Sequence, residues 1–242
     1  MKRMVLSIGL VLASLLGIGQ DDYVNYGGIY LKAGVNYSEL TASESANMRS
    51  EGGMMKFHLG VVADIPITER YMSFQPGIML NGKGGRVRAF MPSKTDESAN
   101  YYDVTVNPVY LEVPANIVVK IPGFQNTRWL IGGGAYAAMG LTGKVKGTRV
   151  EDGKGIDYKR NIIYQDGNPY ENGFEDTDVF KLNRFEFGVN ALLGIETENF
   201  MITANFSQGL SRVNMYQADS KDANANRIIS LSFGYKFGHN GY

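Results

Sequence analysis

Residues 228–237 read IISLSFGYKF, and apolar side chains alternate there with small or polar ones. Residues two apart share one side of a β-strand, so such a segment has one apolar and one polar face. The alternation predicts a strand that meets an apolar environment on one side only. The apolar side carries Ile229, Leu231, Phe233, Tyr235 and Phe237, and the opposite side carries Ser230, Ser232, Gly234 and Lys236.

Similar alternation recurs along the 242-residue chain. It predicts strands at residues 27–40, 54–67, 71–86, 104–121, 128–143, 180–196, 200–213 and 225–237. Short connections (68–70, 122–127, 197–199) alternate with long ones (41–53, 87–103, 144–179, 214–224), which puts all short turns at one end. This segregation is typical of membrane barrels. We therefore predict an all-β fold, an eight-stranded antiparallel up-and-down transmembrane β-barrel.

The N-terminal residues 1–20 predict a secretory signal peptide. Lys2 and Arg3 precede an apolar run over residues 5–18, which is too short for a membrane-spanning helix. A cut after Gly19 gives a signal peptide (1–19) and an outer-membrane β-barrel domain (20–242), with a retained anchor as the alternative. The chain has no Cys, which excludes a lipid anchor on Cys and any disulfide.

Charge and hydropathy narrow the classes of partner. The chain has 24 basic and 24 acidic residues and no basic stripe of the kind that binds nucleic acid, so no nucleic-acid partner is expected. Apart from residues 5–18, no apolar run approaches the length of a membrane helix, so the mature chain would enter a bilayer as closed strands. The alternative is a soluble, lipocalin-like barrel, whose apolar residues would fill the interior instead.

The polar faces of the strands predict a lumen filled by side chains, and eight strands enclose too little space for a wide porin. Counting from the short turns gives one polar layer near them and another in the half nearer the long connections. The first layer comprises Lys32, Asp64, Lys120, Glu196 and Lys236, and the second comprises Lys56, His58, Glu112, Arg184 and Glu186. Both layers mix signs, and we predict that Glu112 and Arg184 support each other.

Aromatic residues gather near the short-turn ends of the predicted strands. The set comprises Tyr30, Tyr71, Trp129, Phe200 and Phe237, with Tyr23 and Tyr26 ahead of the first strand. Aromatic girdles mark the two interfaces of membrane barrels. These positions therefore predict contacts with the membrane interface rather than with a ligand.

Several segments resemble the PorT-like outer-membrane β-barrel family. They are GGIYLKAGVNYS (27–38), FQPGIML (74–80), YLEVPAN (110–116), FGVNALLGIE (187–196), FSQGLS (206–211) and LSFGYKF (231–237). The resemblance implies an eight-stranded barrel in the outer membrane, with a few relatives linked to protein secretion or to surface roles and most uncharacterised. One departure is the tail 238–242, since many such barrels end at the final aromatic residue.

Two sequence patterns suggest ligands, and neither is specific. GGGAYA at residues 132–137 fits a dinucleotide-binding pattern, but that mechanism needs a helix to start there and residues 138–143 continue as strand. The acidic residues of the longest connection lack the spacing of a calcium loop. They are Asp152, Asp157, Asp166, Glu171, Glu175, Asp176 and Asp178. We therefore predict no cofactor and no metal site.

His58 is the only histidine in the predicted lumen, because His239 lies in the C-terminal tail. A Ser, His and Asp set for nucleophilic catalysis would have to form around His58. Membership of an internal polar network with Lys56, Glu112 and Glu186 is the favoured role. We assign no catalytic residue and do not expect an enzyme.

The sequence predicts a surface interaction, structural or secretion-associated protein that acts through its external loops. The expected location is the outer membrane of a Gram-negative cell, with long loops outside and both mature termini in the periplasm. Expected partners are outer-membrane lipid and lipopolysaccharide, the barrel assembly machinery, and an extracellular or secretion-system protein. The alternatives are a barrel enzyme or small-ligand binder at the outer rim and, third, a narrow pore.

Overall fold

The computed structural model describes residues 27–41, 48–68, 71–90, 101–124, 127–151, 153–165, 181–211, 213 and 225–237. The predicted signal peptide, the tail 238–242 and the connections 91–100, 166–180 and 214–224 lie outside these residues. In the described part, no helix is long and apolar enough to cross a membrane. Its strands are β1 (Gly28–Thr41), β2 (Met48–Gly52), β3 (Met54–Thr68), β4 (Met72–Gly82), β5 (Gly85–Phe90), β6 (Tyr101–Pro122), β7 (Arg128–Glu151), β8 (Lys154–Asn161), β9 (Ile163–Gln165), β10 (Lys181–Asn183), β11 (Phe185–Glu196), β12 (Phe200–Gly209) and β13 (Ala225–Phe237).

Eight of these strands form a closed ring. The order is β1-β3-β4-β6-β7-β11-β12-β13, and β13 pairs with β1 over thirteen residues from Ile29↔Phe237 to Thr41↔Ala225. Every neighbouring pair in the ring is antiparallel. Closure leaves no free edge in the ring, so the backbone groups of its strands are paired on both sides. The predicted eight-stranded antiparallel barrel is confirmed.

The two sides of β6 show how the barrel presents its surfaces. From Val109 to Ile121 its outward side is apolar and more exposed, whereas its inward side is mostly buried and includes Tyr110, Glu112 and Lys120. The outward set is Val109, Leu111, Val113, Ala115, Ile117, Val119 and Ile121. We call this band, with the apolar outward residues of the other ring strands, the apolar belt.

Beyond Val109 the two sides of β6 exchange character. Toward the long connections the outward residues are polar, while Tyr102, Val104 and Val106 are buried on the inward side. Here β2, β5, the first half of β6, the second half of β7, and β8 form a five-stranded sheet, which we call the platform sheet. Its inward side packs into an apolar cluster of Leu40, Val87, Tyr102, Val104, Val106, Val145, Tyr158, Ile162, Leu182 and Val213.

The platform sheet corrects the prediction for three of the four long connections, 41–53, 87–103 and 144–179, which were expected to be polar loops. Residues 144–161 were expected to be a loop, but β7 continues to Glu151, the chain turns at Gly153 (φ 75°), and β8 returns antiparallel to it. The register of β6 and β7 shifts between Val109 and Tyr110, so an extra residue, Leu141, stands in β7. Such a bulge reverses which alternate positions face inward, and Val145 is fully buried as a result. Similarly, β2 and β5 occupy parts of the predicted loops 41–53 and 87–103.

Candidate functional site

A fully buried lysine stands at an interruption between β4 and β5. Lys83 and Gly84 separate the two strands, and Gly84 has a φ of 107°, which favours glycine. A Cβ at Gly84 would also collide with the carbonyl oxygen of Val106. The Lys83 N–H still donates to the Pro108 carbonyl at 3.1 Å, while the Lys83 side chain is completely buried inside the ring.

Lys83 joins two carboxylates from other strands. Its Nζ lies 2.8 Å from Glu112 Oε2 on β6 and 2.9 Å from Glu186 Oε1 on β11. The same Nζ lies 4.3 Å from the ring centroid of Tyr136 and 5.1 Å from that of Tyr110. Both distances are within the range of cation–π attraction. We call this group the Lys83 cluster.

Neutral donors complete the Lys83 cluster. Glu186 accepts the Tyr136 hydroxyl at 2.6 Å and the Asn226 side-chain amide at 2.6 Å, and Glu112 accepts the amide of Asn81 at 3.0 Å. One cation therefore faces two carboxylates, each of which also accepts hydrogen bonds from neutral donors. Buried charges are tolerated when they are paired and hydrogen-bonded in this way.

A second ion cluster lies near the short turns. Lys120 on β6 pairs with Asp64 on β3 and, at 3.0 Å, with Glu196 Oε2 on β11. Glu196 also accepts the Tyr30 hydroxyl at 2.5 Å and lies 3.5 Å from Arg128 Nη2. We call this group the Lys120 cluster.

Polar side chains fill the space between the two clusters. His58 Nδ1 is 2.6 Å from Asn36 Oδ1, and His58 Nε2 is 2.8 Å from Ser232 Oγ. The amide nitrogen of Asn36 already donates to Asn81 Oδ1 (2.6 Å) and to the Gly82 carbonyl (3.1 Å), so Asn36 Oδ1 must accept from His58. In its neutral form His58 therefore carries its proton on Nδ1, which leaves Nε2 to accept a hydrogen bond from the Ser232 hydroxyl.

A cavity of about 60 Å³ adjoins these residues, and buried Lys32 lines it. This space suffices for roughly four to six water molecules. It is far smaller than an aqueous channel.

The structure brings together only some of the predicted lumen residues. Asp64, Lys120 and Glu196 meet in the Lys120 cluster, and Glu112 and Glu186 meet through Lys83. Lys56 bonds the side chain of Asn107 and does not join the Lys83 cluster. Lys32 and His58 are buried between the clusters, and Lys236 is half-buried on β13.

The predicted support between Glu112 and Arg184 is wrong. Arg184 stands at the break between β10 and β11, where the alternation is interrupted, and its exposed side chain donates to the Tyr164 carbonyl at 3.1 Å. Glu112 pairs with Lys83 instead. Sequence reasoning missed Lys83 because residues 82–85 read GKGG, which carries no strand alternation.

The prediction of an interface position for Tyr30 is also wrong, because Tyr30 is completely buried and bonds Glu196. Its even number on β1 places it on the same side as Lys32 and Asn36, which was a usable signal for an inward position. The other predicted interface aromatics, Tyr71, Trp129, Phe200 and Phe237, are exposed at or beside the short-turn ends of their strands. Their contact with the membrane interface stays a prediction.

The structure bears on both of the sequence patterns that suggested a ligand. Residues 132–143 all lie within β7, so the predicted continuation of residues 138–143 as strand is confirmed. Within the described ranges, no three His, Asp or Glu side chains are grouped so that they could hold a metal ion. Asp157 is exposed on β8. The other acidic residues of the calcium hypothesis lie outside the described residues.

The family assignment comes from a match over most of the chain. Residues 19–215 match the family model described as outer membrane protein beta-barrel domain. The chain belongs to this family. It is an outer-membrane β-barrel protein, as the sequence predicted. The finer PorT-like assignment is not part of this match.

Similar solved structures are distant in sequence. OprG from Pseudomonas aeruginosa is 13% identical with a TM-score of 0.43, and the match covers 88% of this chain and 97% of OprG. The attachment invasion locus protein Ail of Yersinia pestis is 13% identical, with a TM-score of 0.39 and coverage of 87% and 99%. The outer membrane protease OmpT from Escherichia coli is 9% identical, with a TM-score of 0.39 and coverage of 90% and 99%. No curated protein matches the chain.

Proposed function

We propose that this outer-membrane barrel acts at the cell surface through its platform sheet, as an interaction or structural protein with a closed lumen. The observation that carries the proposal is the continuation of β6 and β7 past the apolar belt into a folded sheet with its own apolar cluster. Folded strands hold surface side chains in fixed positions, as binding surfaces require. A secretion-associated role, as in some PorT-like barrels, belongs to the same proposal.

The two ion clusters favour a closed lumen over a narrow pore. The Lys83 and Lys120 clusters join strands across the ring on either side of the small central cavity. An ion would have to separate buried, hydrogen-bonded pairs in order to pass. Passage by this route is therefore unfavourable unless a cluster opens.

The orientation follows from the positions of the connections. The platform sheet lies at the long-connection end, and outer-membrane barrels carry longer loops outside and short turns in the periplasm. We therefore place the platform sheet outside the cell and residues 123–127 in the periplasm. Outer-leaflet lipopolysaccharide and an extracellular protein are the partners this orientation offers, and assembly would use the barrel assembly machinery.

Single cysteines test this orientation, because the chain has none of its own. Lys154→Cys places a thiol at the exposed turn between β7 and β8, and Phe124→Cys places one in a short turn where the native side chain is 80% exposed. We expect a membrane-impermeant maleimide to label Lys154→Cys on intact cells and Phe124→Cys only after permeabilisation. Labelling of Phe124→Cys alone on intact cells would reverse the orientation.

The same two variants test for a partner. A benzophenone maleimide attached at Lys154→Cys and irradiated on intact cells should give a discrete adduct of higher mass. Phe124→Cys, loaded after permeabilisation, is the matched control. An adduct from the control alone would move the partner to the periplasmic side, and no adduct from either would leave only a structural role.

A barrel enzyme is the second candidate, and one arrangement favours it. Ser232, His58 and Asn36 follow the hydrogen-bond order of a nucleophile, its base and the group that orients the base. Asn205 also donates to Ser232 Oγ at 3.2 Å. However, Ser232 is only 2% exposed, and in the part of the chain that the structure describes it lies between the two ion clusters, which stand between it and the two ends of the barrel.

A fluorophosphonate probe distinguishes the two candidates. We expect the folded barrel in detergent to show no more labelling than Ser232→Ala, because burial blocks access to the hydroxyl. His58→Gln is the second comparison, since it removes the base while keeping a polar side chain. Labelling that disappears in both variants would place the enzyme ahead of the surface role.

A further inference from the structure

Four exposed cations occupy the outward side of the platform sheet. They are Arg86 on β5, Lys144 and Lys146 on β7, and Lys159 on β8. Within the part of the chain that the structure describes, none of the four forms an ion pair. Arg88, in the next row, is different because it pairs with Asp103 at 2.9 Å and Glu51 at 3.4 Å. We call the four unpaired cations the basic patch.

Strand register places these cations side by side. Thr105 on β6 lies opposite both Arg86 and Lys146, and Lys146 lies opposite Lys159. Adjacent strands are about 4.8 Å apart, so the row from Arg86 to Lys159 spans about 15 Å. Lys144 faces the same way, two residues from Lys146 and about 6.6 Å along the strand.

The direct opposition of Lys146 and Lys159 is unfavourable by itself. Like charges opposite each other across an antiparallel pair destabilise it. Asp157 is the acidic residue of β8 that shares this side, but it faces Thr148 in the row farther from the apolar belt. The two lysines thus lack a carboxylate in their own row, and an anion bound between them would relieve the repulsion.

The basic patch stands immediately beyond the apolar belt. The last apolar outward residue of β6 is Val109; Lys144 lies opposite Asn107, one outward position farther, and Lys146 lies opposite Thr105, two positions farther. Two outward positions are about 13 Å of strand, or about 10 Å in height for a strand tilted by about 40°. The polar headgroup layer is about 5–8 Å deep on each side of a bilayer. Lys144, about 5 Å above Val109, therefore lies at the level of the headgroup phosphates. Arg86, Lys146 and Lys159, about 10 Å above it, stand just outside this layer, and their long side chains can extend back to the phosphates.

We propose that the basic patch binds the phosphate groups of the glycolipid in the outer leaflet. This inference rests on the proposed orientation, which brings the patch to the leaflet that holds lipopolysaccharide. Two observations favour this ligand: the positive charge of the basic patch, and its position just beyond the apolar belt. Two or more phosphates on one lipid match a row of cations that a single small anion would leave partly unpaired. The bound lipid would hold the platform sheet against the membrane surface.

Lipid A with two phosphates is the probe, added to the purified barrel in non-ionic detergent and followed by mass spectrometry of the intact complex. Lys144→Gln/Lys146→Gln/Lys159→Gln should weaken its binding by about 100-fold, at about fivefold per cation near a charged headgroup. Higher salt should weaken binding to the native barrel. Lipid A without phosphates and phosphatidylglycerol should both bind weakly.

Lys154→Gln/Arg184→Gln/Arg227→Gln is the matched control, because it removes three exposed charges at the same end of the barrel outside the patch. A heat-dependent gel shift shows that each variant is folded. Equal loss in the control would reduce the effect to net charge, and equal binding of lipid A without phosphates or of phosphatidylglycerol would overturn the proposed occupant. Since the protein is tested in micelles, this result is independent of the cysteine labelling that tests orientation.

Discussion

Lys83→Ala is expected to lower the free energy of unfolding by about 3–5 kcal/mol. The change removes the only cation of the Lys83 cluster and leaves Glu112 and Glu186 buried without an opposite charge. Their remaining donors, Tyr136, Asn226 and Asn81, are neutral and cannot balance two carboxylates. Urea unfolding of the barrel in detergent measures the loss, with the fluorescence of the single tryptophan as the signal.

Two controls separate ion pairing from mere truncation. Arg184→Ala removes the residue that was predicted from the sequence to support Glu112. Because the Arg184 side chain is exposed, its loss should lower the free energy of unfolding by no more than about 0.5 kcal/mol. Lys83→Met combined with Glu112→Gln and Glu186→Gln removes the buried charges together and should recover much of the lost stability. If Lys83→Ala left the free energy of unfolding unchanged, or if Arg184→Ala lowered it by several kcal/mol, the stabilising role of the Lys83 cluster would be contradicted.

Conductance in planar bilayers adds a readout that a structural role alone would not change. A barrel that keeps its stability after Lys83→Ala but begins to conduct ions would make the Lys83 cluster a gate. The narrow pore would then rank above the surface role. A barrel that loses stability and stays non-conducting would support a lumen closed by packing.

Period-two alternation predicted the ring well because one face of each ring strand meets an apolar environment. The predicted strand 225–237 coincides with β13, and the outward residues of β6 from Val109 to Ile121 match the alternation. The closure of the ring could be predicted from the even number of antiparallel strands alone, without information about contacts between distant residues. Inward polar positions such as Asp64 and Lys120 followed from the same rule.

The same rule failed where the environment of the two faces changes. In the platform sheet the outward side is polar and the inward side apolar, and Leu141 adds a bulge at the transition, so the charged stretch from Lys144 onward was interpreted as loop. The rule also did not predict the Lys83 cluster, because Lys83 lies at the interruption between β4 and β5, where the alternation stops. Partner choice in a lumen depends on contacts across the ring, which alternation along one strand does not encode.

Val189→Lys is expected to reduce stability in the membrane by about 2–4 kcal/mol, the cost of a lysine on the lipid-facing side near the bilayer midplane. Val189 lies near the middle of the outward side of β11 and opposite Ala135, which in turn lies opposite Ala115 at the centre of the apolar stretch of β6. Ile195→Lys is the matched control on the same strand. It lies opposite Trp129 next to a short turn, where a lysine can extend to water and should cost about 0–1 kcal/mol.

Refolding into lipid vesicles, with urea titration of both variants, measures this gradient. A soluble barrel with its outward side in water would accept a lysine at Val189 as readily as at Ile195, so the difference between the two positions tests lipid contact directly. The test is independent of the Lys83 cluster, because Val189 faces away from the ring interior. Equal effects at the two depths would contradict the apolar belt as the membrane-facing surface. A larger loss at Val189 would place the middle of β11 in the hydrocarbon core.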